Sequence, residues 1–245
     1  IGVGTKLYQV LTFARGISRN KYVPLRHEAD YCMDLARAIG VRSEDLRTEA
    51  FLTDAEMRAA GDRLRALGRR ADAPLISIHP EHGRSAPNWT TALYGEFITR
   101  ALAEIPDAQV LVNITPGNNV ARRFFEQFRS PAVLFPDGSG DLRLLMGLIT
   151  QSDVVVSAST GPMHLAAALD TPTVSMFCPL TACSPELWGP KGNQARIILP
   201  PGNYCQTRCP GDPHVCTFEG GIHPADVVNA VRSVLDQKNP RPGRG

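Results

Sequence analysis

The sequence predicts an α/β protein built on a doubly wound parallel sheet, and three observations carry that prediction. From about Pro74 onward, short runs rich in β-branched residues recur. Apolar stripes at helical spacing separate most of them. Gly, Pro and polar residues bound the runs, and strands that alternate with helices in this way form βαβ units.

Strands are expected at Leu75–His79, Gln109–Ile114, Ala132–Phe135, Val154–Ala158, Thr173–Phe177 and Ala195–Leu199. After the first, Leu93, Phe97, Ala101 and Ile105 fall on one helical face, and Thr90 can cap its start. Leu142, Leu145, Leu148 and Ile149 form a second stripe. Val227, Val228, Val231, Val234 and Leu235 form a third. The region ahead of the sheet differs. His27–Gly40 and Thr53–Leu67 read as helices, the second opened by a capping box of Thr53 and Glu56 over a stripe of Met57, Ala60, Leu64 and Leu67. No βαβ series precedes them. Residues 1–73 therefore read as the end of another domain plus the polar linker Gly68–Ala73, and residues 74–245 as the sheet domain.

Composition removes several function classes. A chain of 245 residues, 43% hydrophobic, can bury a core without disulfides or a metal. With 26 basic and 24 acidic side chains the formal charge is +2, which argues against a dedicated nucleic-acid binder. Six cysteines are too few for a disulfide scaffold and point to a reduced, cytosolic compartment. Val154–Leu169 lacks charged residues, but it is broken by Ser, Thr, Gly, Pro and His. It is also shorter than the roughly 20 apolar residues of a spanning helix. No targeting segment opens the chain, and the start IGVGTKLYQV, without Met, suggests a fragment.

Ligands of open α/β sheets sit beyond the carboxyl ends of the strands. Two loops there are rich in donors and small residues. One is His79-Pro-Glu-His-Gly-Arg-Ser-Ala-Pro-Asn-Trp-Thr90, which includes Arg84; the other is Ser157-Ala-Ser-Thr-Gly-Pro-Met-His164, which runs into the helical LAAAL. In the second, Gly161 admits close approach of a ligand to the backbone, and Pro162 suits a first helical turn. Helix N–H groups there favour a phosphate. Each feature also has a plain structural reading. Ser159 or Thr160 would serve as a helix cap, His164 as a core histidine held by a backbone carbonyl, and Trp89 as a packing anchor. No Walker A, GxGxxG or GxSxG pattern occurs.

Together the two loops resemble the bacterial heptosyltransferases, glycosyltransferase family nine. The resemblance rests on STGPMHLAAALDTPTVSMFCP and HPEHGRSAPNW, with DLRLLMGLITQSDVVVSA before the turn and Trp188-Gly-Pro190 after it. The segment RGISRN…HEADYCMDLARAIG is similar to the end of that family's first domain. The resemblance implies the C-terminal half of a two-domain B-type glycosyltransferase fold, with a Rossmann-like sheet and a truncated N-terminal domain. It implies an inverting transfer of heptose from ADP-heptose to the lipopolysaccharide inner core, at the cytoplasmic face of the inner membrane, by a monomer.

Carried over by position, Ser159, Thr160, Gly161, Met163 and His164 would lie at the diphosphate and sugar. Ser85, Ala86, Asn88 and Trp89 would form a second donor loop, and Gly140 a backbone contact to adenine. The family's catalytic base is an Asp early in the first domain, in a stretch this chain lacks, so no base is nominated; the chain reads as an inverting glycosyltransferase, with an inactive fragment of one left open. His164 is left as the catalytic candidate, stabilising the leaving group. The chain departs from the family at Ser159, where Asp is frequent, and at Pro87, where a basic residue is frequent; Arg84 could supply that charge. Glu81, Thr90 and Asp170 depart as well. No Asp-x-Asp metal motif occurs, and neither a metal nor another cofactor is expected. Cys205, Cys209 and Cys216 with His214 are poorly spaced for zinc and read as a structural thiol loop. Two rival readings stay open: a donor that is a UDP- or GDP-sugar, and a non-catalytic nucleotide- or glycan-binding module.

Overall fold

A computed structural model describes residues 1–3, 7, 11–13, 15–17, 22–81, 86–136 and 140–238. Gly2–Val3 (β1) and Gly16–Ile17 (β2) pair in parallel as a small separate sheet. Helices α1 (Glu28–Arg37) and α2 (Asp54–Ala66) follow. The main sheet contains β3 (Leu75–His79), β4 (Gln109–Val112), β5 (Val133–Leu134), β6 (Val154–Ala158), β7 (Thr173–Met176) and β8 (Ala195–Ile198). All pairs are parallel and the order is β5-β4-β3-β6-β7-β8. The doubly wound prediction holds, and every expected strand is present, most of them shorter at the carboxyl end.

The crossovers are α3 (Thr91–Glu104), α4 (Asn119–Glu126), α5 (Leu142–Thr150), α6 (Gly161–Ala168) and α7 (Pro185–Trp188), and after β8 come α8 (Tyr204–Thr207) and α9 (Pro224–Lys238), which closes the described chain. β3, β4, β6 and β7 are buried on both faces, as parallel strands under helices must be. Alternation sends Ile76, Ile78, Val110, Val154 and Val156 to one side, against Phe97 and Ile98 of α3 and Val227 and Val231 of α9. Leu75, Leu111 and Leu134 face the other side, with Leu148 of α5.

That second face also takes in a helix from ahead of the expected boundary. Ala60 and Leu64 of α2 belong to the same buried cluster as Leu75, Leu111 and Leu148, so by packing α2 is a layer of the sheet domain. A Cβ on Gly147 would come within 2.6 Å of the Ala60 Cβ, which shows how closely α5 and α2 pack. Glu56 of the capping box also pairs with Arg143 of α5 at 2.5 Å. Its carboxyl is held down to about 2, chiefly by Arg143 and then by Thr53. The expected linker is pinned too. The buried Gln109 side chain accepts from Arg70 N–H at 2.8 Å and donates to the Gly68 carbonyl at 3.0 Å.

Candidate functional site

Strand order reverses between β3 and β6, so their carboxyl ends, His79 and Ala158, flank the crevice where an open sheet takes its ligands. From β6 the chain enters α6 through Ser159 and Thr160. Thr160 occupies the cap position in extended backbone (φ −138°, ψ 169°), yet its side chain makes no capping bond. Its Oγ1 is buried and has no partner among the described residues. The side-chain cap reading therefore fails at Thr160, although Thr53 and Thr90 cap their helices from similarly extended backbone. The Thr160 carbonyl takes the Met163 N–H at 3.1 Å and the His164 N–H at 3.4 Å instead. Pro162 has no N–H. The exposed Gly161 contributes the first N–H of the turn, and a Cβ there would meet nothing within 4 Å.

The side chains separate in an informative way. Met163 is fully buried, so its side chain packs into the core and does not face the crevice. His164, one residue on, is exposed, which removes its core-histidine reading. Protein atoms still crowd its ring, and this burial, followed by the nearby His27 ring, lowers its pKa below 6.5. At neutral pH the imidazole is thus an uncharged hydrogen-bonding group, not a fixed cation.

On the other side of β3, a cavity of about 190 Å³ opens at the ends of β3, β4 and β5 and the start of α5. Ile114, Pro116, Leu144, Leu145 and Leu148 supply apolar walls, and Gly140 lies at its rim. Gly140 has φ +73°, a left-handed turn that delivers the chain to the Asp141 cap of α5. Two buried polar atoms of lining residues have no partner among the described residues, His79 Nδ1 and Asn113 Oδ1. Burial lowers the His79 pKa, so that ring is neutral. The Asn113 amide is oriented by its NH₂, which donates to Ser77 Oγ at 2.7 Å. Sequence reasoning had His79 only as the first residue of a candidate loop and did not single out Asn113; the usable signal was their position at the carboxyl ends of adjacent strands.

The loop after β3 is mixed. Arg84 and Ser85 lie outside the described residues. Ala86 and Trp89 are buried, and the Trp89 indole donates to the Ile222 carbonyl at 3.0 Å, edge-on to Tyr94. Trp89 is therefore the packing anchor of the loop. Asn88 is buried, with Oδ1 accepting from Trp89 N and Tyr94 Oη, each at 2.9 Å, while its Nδ2 is unpartnered among the described residues. Glu81 bridges to Thr115 N and Asn118 Nδ2 at the start of α4.

Two other features stand apart from the crevice. A cleft of about 1020 Å³ lined by Arg69, Asp72, Pro74, Asp153 and Arg232 opens at the amino ends of β3 and β6, the wrong end of a parallel sheet for its ligand. Cys205, Cys209 and Cys216 gather around Tyr204, whose Oη lies 3.7 Å from the Cys216 Sγ. Burial raises the pKa of Cys205, and all six cysteines are free thiols. Among the described residues no group of three or more His, Cys, Asp or Glu is arranged to hold a metal.

Residues 14–211 match the family described as glycosyltransferase family 9 (heptosyltransferase). A Haemophilus influenzae protein that carries the provisional name of glycosyltransferase is 29% identical over 125 residues, 51% of this chain and 36% of the relative. The chain thus spans about a third of that curated relative. Among solved structures, the glycosyl transferase family 9 protein of Veillonella parvula superposes with a TM-score of 0.72 at 16% identity, over 96% of this chain and 67% of that one. The E. coli ADP-heptose LPS heptosyltransferase II superposes at 0.58 with 20% identity, over 78% and 54%. Likenesses at this identity bear on the fold.

Proposed function

The chain belongs to glycosyltransferase family 9, the heptosyltransferase family, and from that premise we propose that its sheet domain binds the donor in an inverting transfer of heptose from ADP-heptose to the lipopolysaccharide inner core. The observation that supports this most is the pairing of an anion-ready helix start with an apolar cavity on the two sides of the switch point. At about 190 Å³ the cavity is smaller than the roughly 300 Å³ typical of a whole-ligand pocket. It suits one part of a ligand, a flat base, whose edge would meet Asn113 Oδ1 and His79 Nδ1. The diphosphate would then reach the α6 start, where Gly161 N–H, Thr160 Oγ1 and the helix dipole favour an anion.

Chemically, such a transfer asks for two things: a base for the acceptor hydroxyl, and a stabiliser for the departing ADP. The described residues fit the second. A neutral His164 can donate a hydrogen bond to the leaving oxygen. As negative charge grows there, it raises the proton affinity of the ring, so stabilisation strengthens toward the transition state. The acceptor and its base belong to the N-terminal domain in this reading, at the cytoplasmic face of the inner membrane. Among the described residues no helix is long and apolar enough to cross a membrane.

A thermal-shift panel of ADP, UDP and GDP tests the donor. ADP at a hundredfold its Kd is expected to stabilise the fold by about 2.7 kcal/mol. A shift with UDP or GDP in its place would move the reading to another nucleotide sugar, and silence with all three would end it.

A further inference from the structure

His27 uses both nitrogens of its ring, and the two uses constrain each other. Nδ1 accepts from the Ala29 N–H at 3.1 Å, which makes the ring the N-cap of α1. Nε2 lies 2.8 Å from the carbonyl oxygen of Gly189, in the loop that follows α7. A nitrogen that accepts from an amide carries no proton, and one that meets a carbonyl must carry one. Only the neutral, Nε2-protonated ring satisfies both. The same loop is held twice more by the N-terminal region. Thr48 Oγ1 donates to the Lys191 carbonyl at 3.5 Å, and the Arg47 side chain packs beside Gly192. Gly189 has no slack, since a Cβ there would meet the Pro185 carbonyl oxygen at 2.5 Å.

We propose that His27, itself a neighbour of His164, is a positioning residue: uncharged, it ties the start of α1 to the Gly189–Gly192 loop, and on protonation it releases the first turn of α1. The groups that face it set the balance. Burial of the ring opposes the charge first, the Gly189 carbonyl favours it next, Lys191 on the loop opposes it, and Asp30 on its own helix favours it. His164 on α6 adds a second imidazole close enough for each charge to disfavour the other. Loss of the latch would leave α1 and the loop free to shift against the α6 start. The bearing of this on nucleotide rests on the donor reading above; the latch itself does not.

Histidine ¹⁵N spectra across the acid range test the latch without any nucleotide. His27 is expected as the Nε2–H tautomer with a midpoint below 6.5. The Nδ1–H tautomer, or a midpoint at or above that value, would overturn the proposal. His27→Asn separates cap from latch, because Asn is a good N-cap but too short to reach Gly189. The variant should keep the wild-type melting temperature at neutral pH. Amide exchange at 189–192 should then rise about three- to tenfold, the worth of one hydrogen bond. Exchange in the first turn of α1, corrected for intrinsic rates, should depend on pH in the wild type and lose that dependence in the variant. Unchanged exchange at both segments would sink the latch. In titrations with ADP, the variant is expected to bind more weakly with a flattened pH profile. Equal affinity and an equal profile would refute the positioning role, whereas absence of binding in the wild type would refute only the donor reading.

Discussion

The sheet domain and the region ahead of α2 are held by different forces. In the sheet domain, Phe97, Val110, Val156 and Val231 are wholly buried between strands and helices. Among the described residues before α2, Tyr31 is the one buried apolar side chain, while Phe13, Val23 and Phe51 are 96%, 71% and 77% exposed. Charge takes the place of a core there. Arg26 and Arg37 share Asp30 and Asp34 at 2.6 to 3.0 Å, and the Arg26 guanidinium lies 4.3 Å from the Tyr31 ring centre. Such partly exposed pairs orient a helix but contribute little net stability, about 1 kcal/mol or less each. One region therefore stands on burial, and the other is placed by polar attachments to it: His27 to Gly189, Ala50 N to the Ala168 carbonyl, and Arg143 to the Phe51 carbonyl.

The sharpest way to break this contrast is Phe97→Ala. It should lower stability by about 3–5 kcal/mol, a fall of roughly ten degrees in Tm for a domain of this size, read by calorimetry. A small loss would mean that the core is not what holds the sheet domain. Next comes His164→Ala, made in a complete enzyme. Turnover should fall by about ten- to a thousandfold, as on loss of one charge-stabilising donor, while the melting point changes little because the residue lies at the surface and not in the core. Normal turnover with a depressed melting point would reverse the assignment.

Two changes at the α6 start should be smaller. Thr160→Val removes a buried hydroxyl that has no partner among the described residues, so stability should hold or rise. ADP affinity by isothermal titration should nonetheless fall about fivefold, the worth of one lost hydrogen bond. Gly161→Val, whose added atoms enter open space in the free protein, should likewise leave folding intact and weaken ADP. Unaltered affinity in both would remove the turn from the site.

The smallest expected effect is Asp34→Asn, below about 1 kcal/mol globally and visible mainly as faster amide exchange in α1. The region should also loosen in acid in two stages. His27 has a lowered pKa, so its contribution is complete above 6.5 and is lost as pH falls from there through the folded value. Asp30 and Asp34, also lowered by their arginine partners, contribute above 3.8 and are lost below it. A single acid transition shared by both regions would erase the distinction between them.

Strand positions were legible because burial on both faces demands unbroken runs such as Val154–Val156, and the capping box at Thr53 was legible because it is local. The α6 turn was legible for the same reason. What escaped was whatever depends on distant chain. The placement of α2 under the sheet is decided by Leu75, Leu111 and Leu148, not by the polar linker that suggested a boundary. Trp89 could not be told from a ligand contact until Ile222 and Tyr94 were in place around it. His79, Asn113 and His27 gained their roles only when separate strand ends and loops met.

The strand order also has a consequence for how the protein is made. β3 is central, and its partner on one side, β6, pairs Val154 with Ile76 from far down the chain. A nascent chain that has finished β5 therefore still carries an open, unpaired edge on β3, and pairing so remote in sequence is slow. The seam whose two strands lie farthest apart in the chain is the one that the proposed donor straddles. A nucleotide bound across it would act as a clasp on that long-range joint, so added ADP should slow unfolding more than it speeds folding.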